Sequence, residues 1–147
     1  MRRLVPVAVV AAIAVMALVV GSAIAGGASA TSSPLGPGTA TVHLTIRHSR
    51  FSPDHIAVQP GTTVRFVVDN TDPIGHELII GDADVHLRHE NGTERTHPPR
   101  PGEVSIGGRS SAETTFTFSA TGPVLFACHL PGHFAYGMSG TVDVVSG

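Results

Sequence analysis

The sequence predicts an all-β domain, a Greek-key β-sandwich or barrel of about eight short strands. Three observations carry that expectation. Short runs alternate apolar and polar residues with period two, as in Val42, Leu44 and Ile46 and again in Val64, Phe66 and Val68. Turn-forming pairs such as Pro60-Gly61, and glycine-rich breaks, separate these runs. After residue 40 no stretch carries a long amphipathic helical pattern.

Taken in order, the chain opens with Met1-Arg2-Arg3, an uncharged apolar run from Leu4 to Val20, and small residues with Ala23-Ile24-Ala25 and Ala28-Ser29-Ala30 as competing cleavage sites. Basic start, apolar middle and small-residue end make residues 1–25 a signal peptide, or an uncleaved N-terminal anchor that tethers the chain to a membrane through residues 4–25. Either places the rest outside the cytoplasm, as a periplasmic or secreted protein or one held on the outer face of the membrane. Residues 26–40 are small, polar and broken by Pro and Gly, the composition of a flexible linker. Residues 41–147 are the length of one domain with a single core.

Within that domain, Thr41 to Arg47 reads as a half-buried strand with His43 facing solvent, and Thr62 to Asp69 as another. Between them, Phe51-Ser52-Pro53-Asp54 begins a turn, and His55 to Gln59 leads to the turn pair Pro60-Gly61. His76 to Gly81 is short and apolar, and Pro73 and Gly75 punctuate its approach, so His76 falls where a loop enters a strand. Residues 82–102 are polar, with three histidines and three prolines and no clear period, apart from a turn or two of helix over Ala83 to Glu90. Glu103 to Ile106, Ser111 to Ser119, Gly122 to Cys128 and Gly140 to Val145 complete the strands.

Composition narrows the function. A net charge of −2 with no lysine offers no basic face for nucleic acid. An exported chain with a single cysteine cannot form an internal disulfide, and metal ligation accounts for a lone thiol. That thiol, Cys128, is followed five positions later by His133 and five later again by Met138, with His76 the best-placed donor elsewhere in the chain. Two imidazoles and a thiolate with a weak thioether make an electron-transfer copper site.

The residues Phe51-Ser52-Pro53, Pro60-Gly61-Thr62, Asn70, Gly75-His76 and Cys128 through Val145 resemble the cupredoxins, the small blue copper proteins. The spacing C-x4-H-x4-M is similar to that of rusticyanin. The resemblance implies one copper ion in a type 1 site, with His76, Cys128 and His133 as strong equatorial ligands and Met138 as the axial one. Plastocyanins and azurins carry an asparagine after the first histidine that ties the two ligand loops together; here that position is Glu77, which either orients a ligand or points outward. Gly75 resembles the azurin glycine whose carbonyl approaches copper.

His86, His89 and His97, with Asp82, Asp84 and Glu90 nearby, are candidates for a second metal site. His129 reads as a non-ligand, pointing away from Cys128 if the strand continues. Leu130, Pro131, Gly132, Phe134, Ala135 and Tyr136 form an apolar collar around His133, suited to brief contacts with redox partner proteins. The expectation is a monomeric electron carrier cycling Cu(II)/Cu(I), with a copper-binding, storage or delivery protein as the alternative. An enzyme is not expected: multicopper oxidases need paired H-x-H motifs, and the binuclear centre of terminal oxidases needs two cysteines.

Overall fold

Alternating side chains give each strand one apolar face, and here those faces close on each other. The computed structural model describes residues 33–92 and 98–147. In chain order its strands are β1 (Gly38–Ile46), β2 (Phe51–Ser52), β3 (His55–Val58), β4 (Thr62–Asn70) and β5 (His76–Gly81), followed by a helix, α1 (Ala83–Asn91). The strands β6 (Glu103–Ile106), β7 (Ser111–Phe118), β8 (Gly122–Ala127) and β9 (Ser139–Val144) follow. One sheet has the order β2-β1-β4-β7 and the other β3-β9-β8-β5-β6. The result is a two-sheet sandwich. β1 runs parallel to β4 with Gly38 beside Thr62 and Ile46 beside Asn70, and β3 runs parallel to β9; the other pairings are antiparallel.

Leu44, Ile46, Val64, Phe66 and Val68 from the first sheet share one core with Leu78, Ile80, Phe126 and Val142 from the second. Burying each such side chain contributes about 1.5–3 kcal/mol. Phe126 stands edge-on to Phe51, with ring centroids 5.4 Å apart. Its ring lies so close to Gly140 that any Cβ there would collide with it.

β5 is buried at all six positions. The core covers one face, and α1, which packs against the strand, covers the other. Helix formation starts at Asp82, whose carboxylate accepts the Val85 N–H at 3.0 Å; Asp84 lies in the first turn and Arg88 and His89 in the last, matching the helix dipole. The inward face is unusual. His86 is buried while Leu87 is left 56% exposed. Glu103 of β6 pins the helix by accepting bonds from Arg88 at 2.6 Å and His89 Nε2 at 3.0 Å. Burial alone would raise the Glu103 carboxyl, but His89 and the Arg88 and Arg100 charges outweigh it and hold it below its usual range.

Two boundaries differ from the sequence reading. The domain starts before Thr41: β1 begins at Gly38, and Leu35 packs against the core while pairing with β3 through its N–H to Ala57 O at 2.9 Å and its carbonyl to Gln59 N at 2.7 Å. The last part of the expected 26–40 linker is thus bound to the sandwich, because Leu35 supplies apolar surface that its small neighbours lack. Within 82–102, the helix expected over Ala83 to Glu90 is present as α1 and runs one residue further, to Asn91. The leader over residues 1–25 lies outside the described residues, among which no helix is long and apolar enough to cross a membrane.

Candidate metal centre

Two loops at one end of the sandwich bring His76, Cys128 and His133 together, with one donor atom from each all lying within 4.8 Å of one another. Cys128 follows directly after β8 and is fully buried. The segment beyond it folds into successive turns: His133 N–H bonds to Leu130 O at 2.9 Å, Gly137 N–H to Phe134 O at 2.8 Å and Met138 N–H to His133 O at 2.9 Å. Gly137 takes a positive φ of 84°, which closes the last turn. Cys128 N–H then bonds to Met138 O at 3.1 Å and shuts the loop at its base. The outcome is a His133 Nδ1 that stands 3.2 Å from both Cys128 Sγ and His76 Nδ1.

His76 opens β5, and its ring is set by a carboxylate that the sequence reading missed. Asp72 Oδ2 lies 3.1 Å from His76 Nε2, so that nitrogen carries the proton and Nδ1 presents its lone pair to the centre. Asp72 is itself held by the His48 and Ser49 N–H groups, both at 2.8 Å. Burial would raise its carboxyl, but those donors and His76 prevail and keep it low. Burial lowers His76, against the pull of Asp72, so the imidazole stays neutral and able to ligate. Asn70 fixes the intervening turn by donating to Ile74 O at 2.8 Å and Gly107 O at 2.9 Å. Its spacing from Asp72 is the only sequence signal for this arrangement: Asn70 Oδ1 accepts the Asp72 N–H at 3.0 Å, an Asx turn. Replacing Asp72 with alanine is therefore expected to weaken copper binding about 10- to 100-fold. Competition against a chromophoric chelator, with circular dichroism as the check on folding, measures it.

Glu77 points inward. It is 3% exposed, and its Oε1 accepts the His129 N–H at 2.8 Å, so a carboxylate ties β5 to the cysteine loop. From the other side Arg50 donates to Tyr136 O and clamps the same loop. Burial, despite N–H donors from Glu77 and Leu130, pushes the Cys128 thiol up to about 11, and a bound cation would have to displace its proton. Met138 is fully buried, and its backbone is bonded to both Cys128 and His133.

The donor set fits a soft or borderline cation: one thiol and two imidazoles, with a methionine at the end of the loop, where hard cations would require oxygen ligands. His133 is half-buried and borders a cleft of about 470 Å³ lined by Ile74, Gly75, Ile106, Leu130 and Pro131. Ile74, half exposed at 50%, belongs to this apolar rim although it comes from the His76 loop; Tyr136, at 80%, belongs to the cysteine loop.

Of the other histidines, His129 turns toward α1, where its Nε2 meets His86 Nδ1 at 2.8 Å. His86 and His89 share the inward face of the helix. His97, the third residue of the expected second metal site, lies outside the described residues.

A buried thiol and two imidazoles on adjoining loops of a β-sandwich are the build of a small copper-binding protein, a cupredoxin. Residues 39–145 match the family model for copper binding proteins of the plastocyanin/azurin family, and the chain belongs to that family. It is 37% identical over 98 residues to the copper-resistant cuproprotein CopI of Rubrivivax gelatinosus, an alignment covering 65% of this chain and 59% of that protein's length. With the copper-resistant cuproprotein CopI of Pseudomonas aeruginosa the identity is 28% over 137 residues, covering 71% of this chain and 75% of the relative. Among solved structures, dithionite-reduced auracyanin from Roseiflexus castenholzii superposes with a TM-score of 0.59 at 25% identity, covering 74% of this chain and 99% of that one. Auracyanin B gives 0.58 at 23% identity over 77% and 93% of the two chains, a likeness of fold.

Proposed function

We propose that this chain is an exported type 1 copper protein that passes single electrons between partners, with His76, Cys128 and His133 as the strong ligands and Met138 as the weak axial one. The observation that carries this reading is the convergence of one thiol and two imidazoles from two loops that are already tied to each other. Bound copper supplies a one-electron Cu(II)/Cu(I) couple there. Asp72 orients His76 and Glu77 joins the two loops, so the donors have little freedom to move when the charge of the centre changes. Burial of Cys128 keeps water and oxidants from the sulfur. The half-buried ring of His133, with Ile74, Leu130 and Pro131 around it, is the port for electrons, and a small apolar rim suits a partner that must leave quickly. The chain acts as a monomer on the outer side of the cytoplasmic membrane, and no substrate is turned over.

A second reading, copper handling, is favoured by the relatives, which are named copper-resistant cuproproteins. Voltammetry of the copper-loaded protein separates the two. Reversible cycling with the copper content unchanged is expected of the carrier. Release of the ion on reduction would overturn the carrier reading in favour of delivery.

A further inference from the structure

Among the described residues, the densest group of imidazoles apart from the cysteine centre lies beneath α1. His86 Nε2 is 3.2 Å from Leu125 O, which can only accept, so Nε2 carries the proton and Nδ1 presents a lone pair. That lone pair faces His129 Nε2 at 2.8 Å, with the two rings 5.1 Å apart. His89 stacks 6.3 Å from His129 at an angle of 27°, its own Nε2 held by the Glu103 carboxylate. The other nitrogen of His129, Nδ1, is buried and has no hydrogen-bond partner among the described residues.

This is a poor way to build a core. The His86–His129 contact uses one proton and leaves a buried ring nitrogen unsatisfied, at a cost that an apolar pair in the same place would avoid. The arrangement is, however, close to that of a metal-ligating pair. His86 donates its outer nitrogen to a protein oxygen and turns Nδ1 inward, as His76 does with Asp72 in the first centre. Two imidazoles bound tetrahedrally to one ion have nitrogens about 3.3 Å apart. The His76–His133 pair stands at 3.2 Å, so the His86–His129 pair needs only a small opening from 2.8 Å to reach the same spacing. Open space borders His86 on its Leu125 side, and His129 does not line it. His86 lines a cleft of about 390 Å³ that carries the Asp82 and Glu90 carboxylates at its exposed edge.

We propose that His86 and His129, with His89 beside them, form a second site for a late transition-metal cation, Cu(I), Cu(II) or Zn(II): His129 moves its proton from Nε2 to the unpartnered Nδ1, and the ion takes the place between His86 Nδ1 and His129 Nε2. Neutral imidazole donors select these ions over Mg2+ or Ca2+. His129 is joined to Cys128 by one peptide bond, and its N–H is held by Glu77, so an ion at this site perturbs the first centre directly. The site stands apart from the electron-carrier reading and would serve either proposed function.

The test uses the full chain loaded with one copper, whose visible absorption is recorded before any second metal is added. Zn(II) is then supplied, excess is removed over a weak chelator, and both metals are counted. One retained zinc per copper is expected, together with a shift of the visible band. His86→Ala leaves every proposed ligand of the first centre in place, and it is expected to lose both the zinc and the shift while keeping the band. Because the variant could disturb α1, ring 15N shifts are followed in the unaltered protein as zinc is added, with His86 Nδ1 and His129 Nε2 expected to move together. Repeating the series with Cu(I) and Cu(II) identifies the cation held most tightly. No retained ion in any series, zinc retained equally by the His86→Ala variant, or ring nitrogens that do not respond would each overturn the site. A copper-loaded protein without the visible band before zinc is added would instead count against the blue-copper reading.

Discussion

Cys128→Ser is expected to abolish the intense visible absorption of the copper-loaded protein while leaving the sandwich folded. The band requires a thiolate bonded to Cu(II), and the chain has no other cysteine to supply one. Serine is close to cysteine in shape, and the backbone bonds that shape the loop, Cys128 to Met138 and Met138 to His133, do not involve the sulfur. An alkoxide is also far harder to form and to pair with a soft ion than a thiolate, so any copper still held by His76 and His133 is nearly colourless. Absorption spectroscopy beside far-ultraviolet circular dichroism makes the measurement. A band that survives the substitution, or a colourless parent protein, would refute the assignment of Cys128.

The second large effect is on stability. Phe126→Ala is expected to cost about 3–5 kcal/mol. The ring is fully buried, packs edge-on against Phe51, and occupies the space that Gly140 leaves open. A glycine with so little freedom to fill the gap keeps the cavity open, which places the loss toward the upper end. Against a total stability of about 5–15 kcal/mol that is a large share. For a domain of this size the thermal midpoint should fall by on the order of 15 °C. A fall of only a degree or two would mean that Phe126 is not part of the main core.

The parts of the fold that could be read from the sequence were those where one face meets the core and the other meets water. β4 is such a strand, buried at Val64, Phe66 and Val68, and its alternation is plain in the residue order. β5 could be placed but not understood, because a strand buried on both faces has no alternation and nothing in its own residues says what covers the second face. The cover is α1, and α1 was legible only as a turn or two of helix. Its inward face carries His86 and His89, whereas its one large apolar residue, Leu87, faces out, so the usual helical stripe is absent. At the metal centre the loop from Cys128 to Met138 announced itself through donor spacing. Asp72 did not, since a carboxylate four residues before a histidine has no distinctive pattern until the chain turns. Glu77 was left between two orientations, and only the packing of β5 against the cysteine loop settles that it points inward.

The parallel pairing of β1 with β4 gives the molecule two poles. Asn70, at the end of β4, fixes the His76 loop, whereas Gly38 enters beside Thr62 at the start of the same strand. Eight residue steps of extended chain separate those ends, about 27 Å. The polypeptide therefore joins the sandwich at the pole remote from His133. A handle attached ahead of Leu35, whether a fused domain, an affinity tag or a covalent link to an electrode, pulls on that remote pole and leaves the His133 edge free to face solution. Attachment beyond Val144 gives the same polarity, because β9 runs from the ligand loop at Ser139 back to Val144, beside Gly122.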